Sequence, residues 1–447
     1  MIQRPAPDKQ RELPLAIGGE PLCGSIEEDA PVIYDQLMEC VVNRDNLFRA
    51  YHRVKRNKGC AGIDGKSVDD LPALLKQHWP SIKEQLLQGG YQPQAVKRVI
   101  IPKADGGERQ LGIPTVLDRL IQQSLLQVLQ PQWDRSFSDC SYGFRPNRSA
   151  HQAIAKSQEY INDGYQWVVD MDLEKFFDRV NHDKLMHNLK GRIKDVRVLK
   201  LINRYLKSGL VLDAQWEPSL EGMPQGRPLL PLLSNRMLDD LDKGLEKRGH
   251  KFVRYADDCN IYVKSRRAGQ RVLDGITRYL SRQLKLPVNA RKSAVDRPWK
   301  RRFLGFTFTR SGKAKRRKVS ESSLKRFKQT IRKLTRRTRG RTIEHIIADL
   351  RNYILGWKSY FGISEVPSPL KDVEKWVRRK LRCYLWKQWS QSGYRQLRKR
   401  GVSRRLAWHT SKSAHGPWRL SQSPALVIAL PWRYFNELGL PNLVDRQ

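Results

Sequence analysis

The sequence has few cysteines, no long apolar run and far fewer acidic than basic residues. Its six cysteines lie far apart in 447 residues and form neither a CxxC pair nor a Cys/His cluster, so a zinc site is not expected. We expect reduced thiols in a cytoplasmic protein. No apolar run approaches the roughly 18 residues that a membrane-spanning helix needs. The N-terminus also lacks the charged-then-apolar pattern of a signal peptide.

The shortage of acidic residues leaves a large positive charge. Lys and Arg number 85 against 45 Asp and Glu, which gives a formal net charge of +40. Such an excess favours a polyanionic partner, and nucleic acid is the leading candidate. A membrane surface is the alternative, but the mean hydropathy of −0.64 does not favour it. The length allows two or three domains with sizeable cores.

Residues 1–40 differ from the rest of the chain. They are rich in Pro and Gly and carry more acidic than basic residues. This composition predicts a disordered tail. Helical periodicity begins after Asn43, a candidate N-cap, and a second helix is predicted over Leu71–Leu87.

The segment FVRYADDCNIYV (252–263) is the most informative part of the sequence. Two apolar half-strands flank Ala256, Asp257 and Asp258, which predicts a β-hairpin with two adjacent carboxylates at its tip. One interpretation is an ordinary turn, because Asp is common in turns. The other is a metal site, since two neighbouring like charges require a neutralising cation and Mg²⁺ prefers hard oxygen ligands.

A second acidic element is WVVDMDLEKFFDRV (167–180). It predicts a buried strand that ends at Asp172 and is followed by a turn into a helix. Acids at the end of a core strand need a partner or a metal. If Asp172 lies beside Asp257 and Asp258, the three carboxylates can hold two Mg²⁺ ions about 3.5–4 Å apart, as phosphoryl transfer requires.

Two further elements are candidates for binding a nucleotide. Residues 95–115 predict a hairpin with basic side chains that can either bind a triphosphate or simply face solvent. The turn Pro224-Gln225-Gly226 precedes a predicted helix over Leu229–Leu245 and is expected to face the substrate. A helix ending near Leu284 and two short strands with Lys292 between them complete this half.

The C-terminal third is strongly basic. Residues 300–339 contain 17 basic residues and one acid, with an apolar stripe that predicts an amphipathic helix. Ile346–Trp357 and Val373–Leu385 repeat the pattern, so a three-helix domain is predicted. The cations either form a solvated face or bind a polyanion, and their mutual repulsion favours the second interpretation. Residues 415–440 interleave Arg with aromatics that suit base stacking or a core.

Together these motifs resemble a group II intron-encoded reverse transcriptase/maturase, most closely the short bacterial class C, which lacks an endonuclease. The resemblance runs from about Asn43 to the C-terminus. It implies an α+β right-hand polymerase with fingers and palm over 41–310, an all-helical thumb (domain X, maturase) over 311–390 and a basic DNA-binding region over 391–447. The motifs are IPKADGGERQLGIPTVLDRLIQQ, SYGFRPNRSAHQAI, VVDMDLEKFFDRVNHDKL, PQG, RYADDCNIYVKS, VNARKSAVDRPWKRRFLGF and the terminal GPWR, SPAL and LGL.

The resemblance also implies roles for individual residues of an RNA-directed DNA polymerase. Asp172, Asp257 and Asp258 would be catalytic and hold two Mg²⁺ ions (Mn²⁺ as a substitute), assisted by the Leu173 carbonyl. Phe177 would exclude a ribose 2′-hydroxyl. The residues expected at the dNTP are Lys103, Arg109, Phe177, Gln225 and Lys292. Those expected to contact intron RNA, the RNA template with its DNA primer, or target DNA are Arg145, Arg148, Arg316, Arg317, Lys318, Arg336, Arg337, Arg378 and Arg379.

The chain departs from the family pattern beside the PQG turn. The family usually reads PQGGPLSPLLAN, whereas this chain reads PQGRPLLPLLSN. Arg227 stands in place of a glycine, where the backbone can need a positive φ or a close approach. Leu230 stands in place of a small serine in a helix expected to pack tightly. Either change can weaken polymerisation, but the three catalytic acids are intact, so an active polymerase is the first interpretation. No HNH-like residue set follows Leu440, so second-strand cleavage is not expected.

Three functional hypotheses follow. The first is an RNA-directed DNA polymerase that also binds its intron RNA and assists splicing. The second is a splicing maturase whose polymerase activity is impaired by Arg227 and Leu230. The third is a reverse transcriptase adopted by the host for DNA repair or defence. RNA-templated RNA synthesis is disfavoured because Phe177 suits dNTP selection.

Overall fold

A computed structural model describes residues 36–102, 108–212, 215–219, 221–336 and 340–444. The chain forms two compact units. The first runs up to Ser149 and continues over Val169–Val295. The second comprises Ala150–Val168 and the chain from Asp296 onwards. Both helices and sheets contribute to the fold, which confirms the α+β prediction.

The helices largely follow the predicted periodicity. Asn43 caps the second helix, since its side chain accepts the Asp45 N–H at 2.9 Å. Among the described residues, none of the helices has the length and apolar character to cross a bilayer. The helices are α1 (Leu37–Val42), α2 (Arg44–Arg56), α3 (Leu71–Leu87), α4 (Val116–Asp134), α5 (Ala150–Asn162), α6 (His182–Lys190), α7 (Val196–Lys207), α8 (Leu230–Lys247), α9 (Arg266–Tyr279), α10 (Glu321–Leu334), α11 (Ile343–Phe361), α12 (Ser368–Trp389), α13 (Gly393–Lys399), α14 (Arg404–Ser411), α15 (Pro417–Leu420), α16 (Pro424–Ala429) and α17 (Trp432–Glu437).

The strands form two larger sheets and one small hairpin. They are β1 (Val96–Pro102), β2 (Glu108–Ile113), β3 (Trp167–Met171), β4 (Leu210–Leu212), β5 (Gln215–Glu217), β6 (Lys251–Tyr255), β7 (Asp258–Val263), β8 (Ala294–Asp296), β9 (Phe306–Phe308) and β10 (Arg317–Val319). One four-stranded sheet has the order β2-β1-β4-β5, and the other has the order β6-β7-β3-β8. The second sheet holds both acidic elements, because β7 lies next to β3.

The second unit contains the three predicted amphipathic helices, α10, α11 and α12. Phe327 and Ile331 on α10 are fully buried, so the apolar stripe of this basic segment faces a core as predicted. Helix α5 also belongs to this unit: the Gln158 amide donates to the Lys315 carbonyl at 2.7 Å. The boundaries proposed for fingers, palm and thumb stay a prediction, since the two compact units do not coincide with them.

The turn into a helix that was predicted after Asp172 is present. Lys175 has a left-handed φ of 49°, a 3₁₀ helix spans Phe176–Asp178, and α6 begins at His182.

Two local predictions are corrected. Residues 37–40 were expected in a disordered tail, yet they belong to α1, whose apolar side chains are buried; residues 1–35 lie outside the described residues.

The second correction concerns Lys292. It does not lie between two strands, because β8 and β9 both follow it. The Asn289 side chain accepts the N–H groups of Arg291 and Lys292 at 3.1 and 3.3 Å, and this turn replaces the first expected strand. Val288 makes only an isolated bridge to Leu173.

Candidate active site

A tight hairpin presents the adjacent acids Asp257 and Asp258. Strands β6 and β7 pair antiparallel with Tyr255 opposite Asp258, so Ala256 and Asp257 form the turn. Ala256 has a φ of 58°, a left-handed conformation that is uncommon for a residue with a side chain. Asp258 is exposed and Asp257 is half-buried. The turn therefore displays both carboxylates at the edge of the sheet, as the sequence predicted.

Arg254 supports this turn from inside the protein. Its guanidinium is bound to both carboxylate oxygens of Asp242 at 2.5–3.0 Å and donates to the Ala256 carbonyl at 2.8 Å. It also donates to Asn235 Oδ1 at 3.0 Å and Ser141 Oγ at 2.8 Å. Burial would lower the pKa of Arg254, but the Asp242 carboxylate raises it above its usual value. A permanently charged side chain thus fixes the backbone beside Asp257.

The SYGF loop (residues 141–144) and the residue before it are hydrogen-bonded to strand β6 of the hairpin. Tyr142 N–H donates to the Arg254 carbonyl at 2.8 Å, and Arg254 N–H donates to the Cys140 carbonyl at 2.9 Å. A Cβ atom on Gly143 would lie 2.3 Å from the Ala256 nitrogen. Only glycine permits this approach, because no side-chain carbon fits in that space.

The second acidic element ends where β3 ends. Asp172 follows Met171, and its N–H donates to Ser293 Oγ at 3.0 Å while its carbonyl accepts the Asn289 N–H at 2.9 Å. The Lys292 ammonium lies 3.6 Å from the Asp172 carboxylate, which is about one-quarter exposed. The turn formed by residues 289–293 thus fixes the backbone of Asp172 and brings a cation to its side chain.

The donor set fits a hard divalent cation, because Asp172, Asp257 and Asp258 offer only carboxylate oxygens. Strand β7 begins with Asp258 and is the neighbour of β3, which Asp172 follows. Among the described residues, no three His, Cys, Asp or Glu side chains are already arranged as a metal site. Convergence of the three carboxylates on metal therefore stays a prediction, and Lys292 is the cation that the structure places beside Asp172.

The predicted nucleotide-binding elements are joined through backbone contacts. Met223 N–H donates to the Phe177 carbonyl at 2.5 Å, which links the 3₁₀ turn to the segment before Gln225. Gly112 N–H on β2 donates to the Gln225 carbonyl at 2.7 Å. A Cβ atom on Gly226, which has a φ of 112°, would lie 2.7 Å from the Gly112 oxygen. Phe177, Gln225 and strand β2 therefore form one connected region.

Arg227 is accommodated within this region without backbone strain. The positive φ falls at Gly226, not at Arg227. The Arg227 side chain is buried and donates to the Tyr205 carbonyl and, at 3.3 Å, to Ser208 Oγ. Burial lowers its pKa to about 10, and the nearby Asp118 opposes that shift. The guanidinium thus ties the segment after Gln225 to the end of α7.

Two protein families match this chain. The family described as reverse transcriptase (RNA-dependent DNA polymerase) matches residues 101–308, which include both acidic elements and Gln225. The group II intron maturase-specific domain matches residues 324–402, which include most of the three-helix part of the second unit. The chain is therefore similar to group II intron reverse transcriptases that carry a maturase domain. Its α+β fold and its helical C-terminal part agree with that similarity.

Two known proteins have similar sequences over about half of the chain. Protein YkfC of Escherichia coli is 35% identical over 226 residues, 49% of this chain and 59% of that protein. The group II intron-encoded protein LtrA of Lactococcus lactis is 33% identical over 229 residues, 51% of this chain and 38% of that protein. This chain therefore spans less than two thirds of the length of either relative.

A solved structure titled "Partial Cas6-RT-Cas1--Cas2 complex" is 26% identical, with a TM-score of 0.36, and covers 55% of this chain and 43% of that chain.

The residues expected to contact the nucleotide are only partly described. Lys103 lies outside the described residues. Arg109 lies on β2 opposite Ile101, and its side chain is not described. Gln225 and Phe177 are both half-buried, and their carbonyls accept the N–H groups of Gly112 and Met223. Leu173 is buried directly after Asp172.

The residues expected to contact nucleic acid differ in their environments. Arg145 is buried: it pairs with Asp134 at 2.7 Å and donates to the Ser138 and Ser141 carbonyls, which favours a structural role over the predicted contact.

The other residues expected to contact nucleic acid are exposed, half-buried or paired with protein groups, except for one that is not described. Arg337 lies outside the described residues. Arg316 and Arg336 are exposed and Lys318 is half-buried. The remaining side chains have protein partners: Arg148 pairs with Asp139, Arg317 with Glu365, Arg378 with Glu374, and Arg379 lies on Trp418.

Sequence reasoning did not identify Arg254, Asp242 and Gly143 as parts of the site. Arg254 lies inside the apolar half-strand of the hairpin, where a basic residue demands a buried partner. An arginine within an apolar half-strand was therefore the sequence feature that indicated a buried acidic partner. The sequence alone does not say that Asp242 on α8 supplies the partner.

Proposed function

We propose that this chain is an RNA-directed DNA polymerase that also binds group II intron RNA to assist its splicing. The observation that carries the proposal is the rigid hairpin of Asp257 and Asp258 on the strand next to β3, which leads to Asp172. The match to the reverse transcriptase family over residues 101–308 supports the polymerase role. The maturase-specific match over 324–402 and the net charge of +40 support the RNA-binding role.

In this proposal, Asp172, Asp257, Asp258 and the Leu173 carbonyl hold two Mg²⁺ ions. When bound, such ions activate the primer 3′-hydroxyl and neutralise charge on the dNTP phosphates. The residues of the chain itself position the reactants. Gln225 and Arg109 lie on connected segments that line the dNTP site, and Phe177 excludes a ribose 2′-hydroxyl. Lys292, whose ammonium lies 3.6 Å from the Asp172 carboxylate, is a further residue proposed to contact the dNTP.

The proposal extends to intron mobility, in which the same site copies intron RNA into DNA from a primer in target DNA. The basic second unit would hold the intron RNA, the template–primer duplex and the target strand. Its seventeen basic residues over 300–339 supply a sequence-independent attraction to phosphate.

The test is primer extension on an RNA template with dNTPs and Mg²⁺, comparing the wild type with Asp257→Asn. The matched control is Asp274→Asn, which removes an exposed acid on α9. We expect extension by the wild type and the control but not by Asp257→Asn, and RNA affinity within a few-fold in all three. Absence of extension by the wild type would contradict the polymerase role. A large loss of RNA binding in Asp257→Asn would contradict the assignment of the site.

The maturase role needs its own measurement. We expect the wild-type protein and Asp257→Asn to accelerate splicing of the cognate intron RNA equally, because the polymerase site is not used. Failure of both proteins to bind or splice that RNA, with extension intact, would leave a polymerase without a maturase function.

A further inference from the structure

A cavity of about 370 Å³ opens in the second unit beside helices α10, α12 and α15. Its volume falls in the range of sites that take small ligands, roughly 300–1,000 Å³. The active-site proposal does not account for it, and its lining includes Trp418 from the 415–440 segment whose aromatics suit either base stacking or a core. The lining residues that matter here are Arg332, Trp376, Lys380, Tyr384 and Trp418.

Two indole rings in this cavity lie close to cationic groups. Arg332 lies 5.4 Å from the centre of the Trp376 ring. The Lys380 ammonium is 4.9 Å from the Trp418 ring centre and 5.9 Å from that of Trp376. Lys328 adds a further cation 5.8 Å from Trp376. The cavity thus combines flat π surfaces with positive charge at distances typical of cation–π contacts.

Trp418 is held in place although it is 37% exposed. The Arg379 guanidinium lies 3.8 Å from the centre of the indole and donates to the Trp418 carbonyl at 3.1 Å. It also donates to Ser421 Oγ at 3.4 Å. An aromatic side chain with a fixed orientation loses little entropy when a ligand stacks on it.

Among the described residues that line the cavity, Arg332 and Lys380 are basic and none is acidic. This lining favours a ligand with a negative charge. The Tyr384 hydroxyl donates to the Arg341 carbonyl at 2.6 Å. Because this hydroxyl already donates to a protein carbonyl, a ligand in the cavity would mainly contact aromatic faces and positive charge.

We propose that this cavity binds one unpaired nucleotide of a single-stranded nucleic acid. The base stacks on the indoles of Trp376 and Trp418, and the adjoining phosphate is neutralised by Arg332 and Lys380. Stacking on an indole tolerates any base, so we expect little sequence preference. A base inside a duplex is not available for such stacking, so single strands are favoured. The inference deepens the RNA-binding part of the proposed function and rests on it.

The test measures binding of the full-length protein to a short single-stranded RNA with one 2-aminopurine, to the DNA of the same sequence, and to a blunt RNA duplex. The pocket variant is Arg332→Gln with Lys380→Gln. The control is Lys325→Gln with Lys371→Gln, which removes one exposed charge from each of the same two helices.

We expect the pocket variant to lose roughly tenfold in affinity for the single strand and about twofold for the duplex. The control should lose about twofold for both. Equal losses by the pocket variant and its control would overturn the proposal, since the cations would then act only as general surface charge. Thermal unfolding of each variant shows whether the fold is retained.

A second pair of variants tests stacking itself. We expect quenching of the 2-aminopurine fluorescence by the wild type and Trp418→Phe, and loss of that quenching in Trp418→Ala. Unchanged quenching in Trp418→Ala and Trp376→Ala would overturn the proposal.

The comparison of the RNA and DNA strands identifies the source of the nucleotide. Tighter binding of the RNA strand would indicate intron or template RNA, and tighter binding of the DNA strand would indicate primer or target DNA. If the wild-type protein does not extend a primer but quenches 2-aminopurine as expected, only the polymerase role is refuted.

Discussion

The Arg254 guanidinium bonds to both carboxylate oxygens of Asp242, and neither side chain is more than 1% exposed. Removal of one partner leaves the other buried and unpaired, at a cost of about 3–5 kcal/mol. We therefore expect Arg254→Met to lower the free energy of unfolding by that amount and to abolish primer extension. Chemical denaturation and extension assays measure the two effects.

The double variant Arg254→Met with Asp242→Leu separates stability from positioning. Two apolar side chains can replace a buried ion pair with little loss of stability. We expect the double variant to recover most of the stability but not the extension rate, because Met cannot donate to the Ala256 carbonyl. Full recovery of extension would show that Arg254 does not position the turn.

Phe177→Ala tests the selection of the sugar. The ring is half-buried in the 3₁₀ turn that Met223 holds. Opening this position should admit a ribose hydroxyl, and we expect discrimination between dNTP and rNTP to fall by roughly 10- to 100-fold. The measurement is kcat/KM for each nucleotide. Phe48→Ala, at an exposed phenylalanine on α2, is the control and should retain the discrimination.

Arg227→Gly tests whether this departure from the family pattern impairs polymerisation. The buried side chain donates to the Tyr205 carbonyl, which also accepts from Ser208 Oγ at 3.1 Å, and loss of the charged donor costs about 1.5–3 kcal/mol. We expect lower stability, because a buried hydrogen bond is lost and a cavity is left, and no gain in extension. Arg227→Met, which fills the space without the charge, shows how much of the loss is due to the cavity. A large rise in extension by the glycine variant would instead support an impaired natural polymerase.

The neutral form of His182 predicts a dependence of stability on pH. Its Nε2 lies 2.7 Å from the Gly222 carbonyl, and burial lowers its pKa below the usual 6.5. Arg227 and Lys207 lower the pKa further, whereas the Gly222 carbonyl and Asp183 oppose the shift. The unfolded chain therefore binds a proton more readily, so stability should be complete above pH 6.5 and fall as the pH drops below it.

Urea unfolding at pH 7.5, 6.5 and 5.5 measures this dependence. We expect His182→Gln, which keeps an N–H donor for the Gly222 carbonyl, to lose less stability between pH 7.5 and 5.5 than the wild type. His415→Gln, at an exposed histidine, should behave like the wild type. An unchanged pH profile in His182→Gln would show that this histidine carries no part of the effect.

The local parts of the fold were predictable because short-range patterns determine them. Asn43 caps α2, Leu71–Leu87 is a helix, and residues 251–263 form a hairpin, all from spacing and residue type. The contacts that shape the site are long-range. Arg254 meets Ser141 across 113 residues, and α5 joins a unit formed mainly by the chain after 296. Such pairings depend on the packing of whole elements, which periodicity does not specify.

The close approach of Gly143 to Ala256 also bears on how working copies of this gene are recognised. A Cβ atom at position 143 would collide with the backbone of the turn that carries Asp257. A copy with that single change would retain all three acids and every other motif, yet its hairpin would be displaced. Genome surveys that count only the acidic residues would score such a copy as active. Position 143 therefore belongs beside 172, 257 and 258 when decayed copies are separated from functional ones.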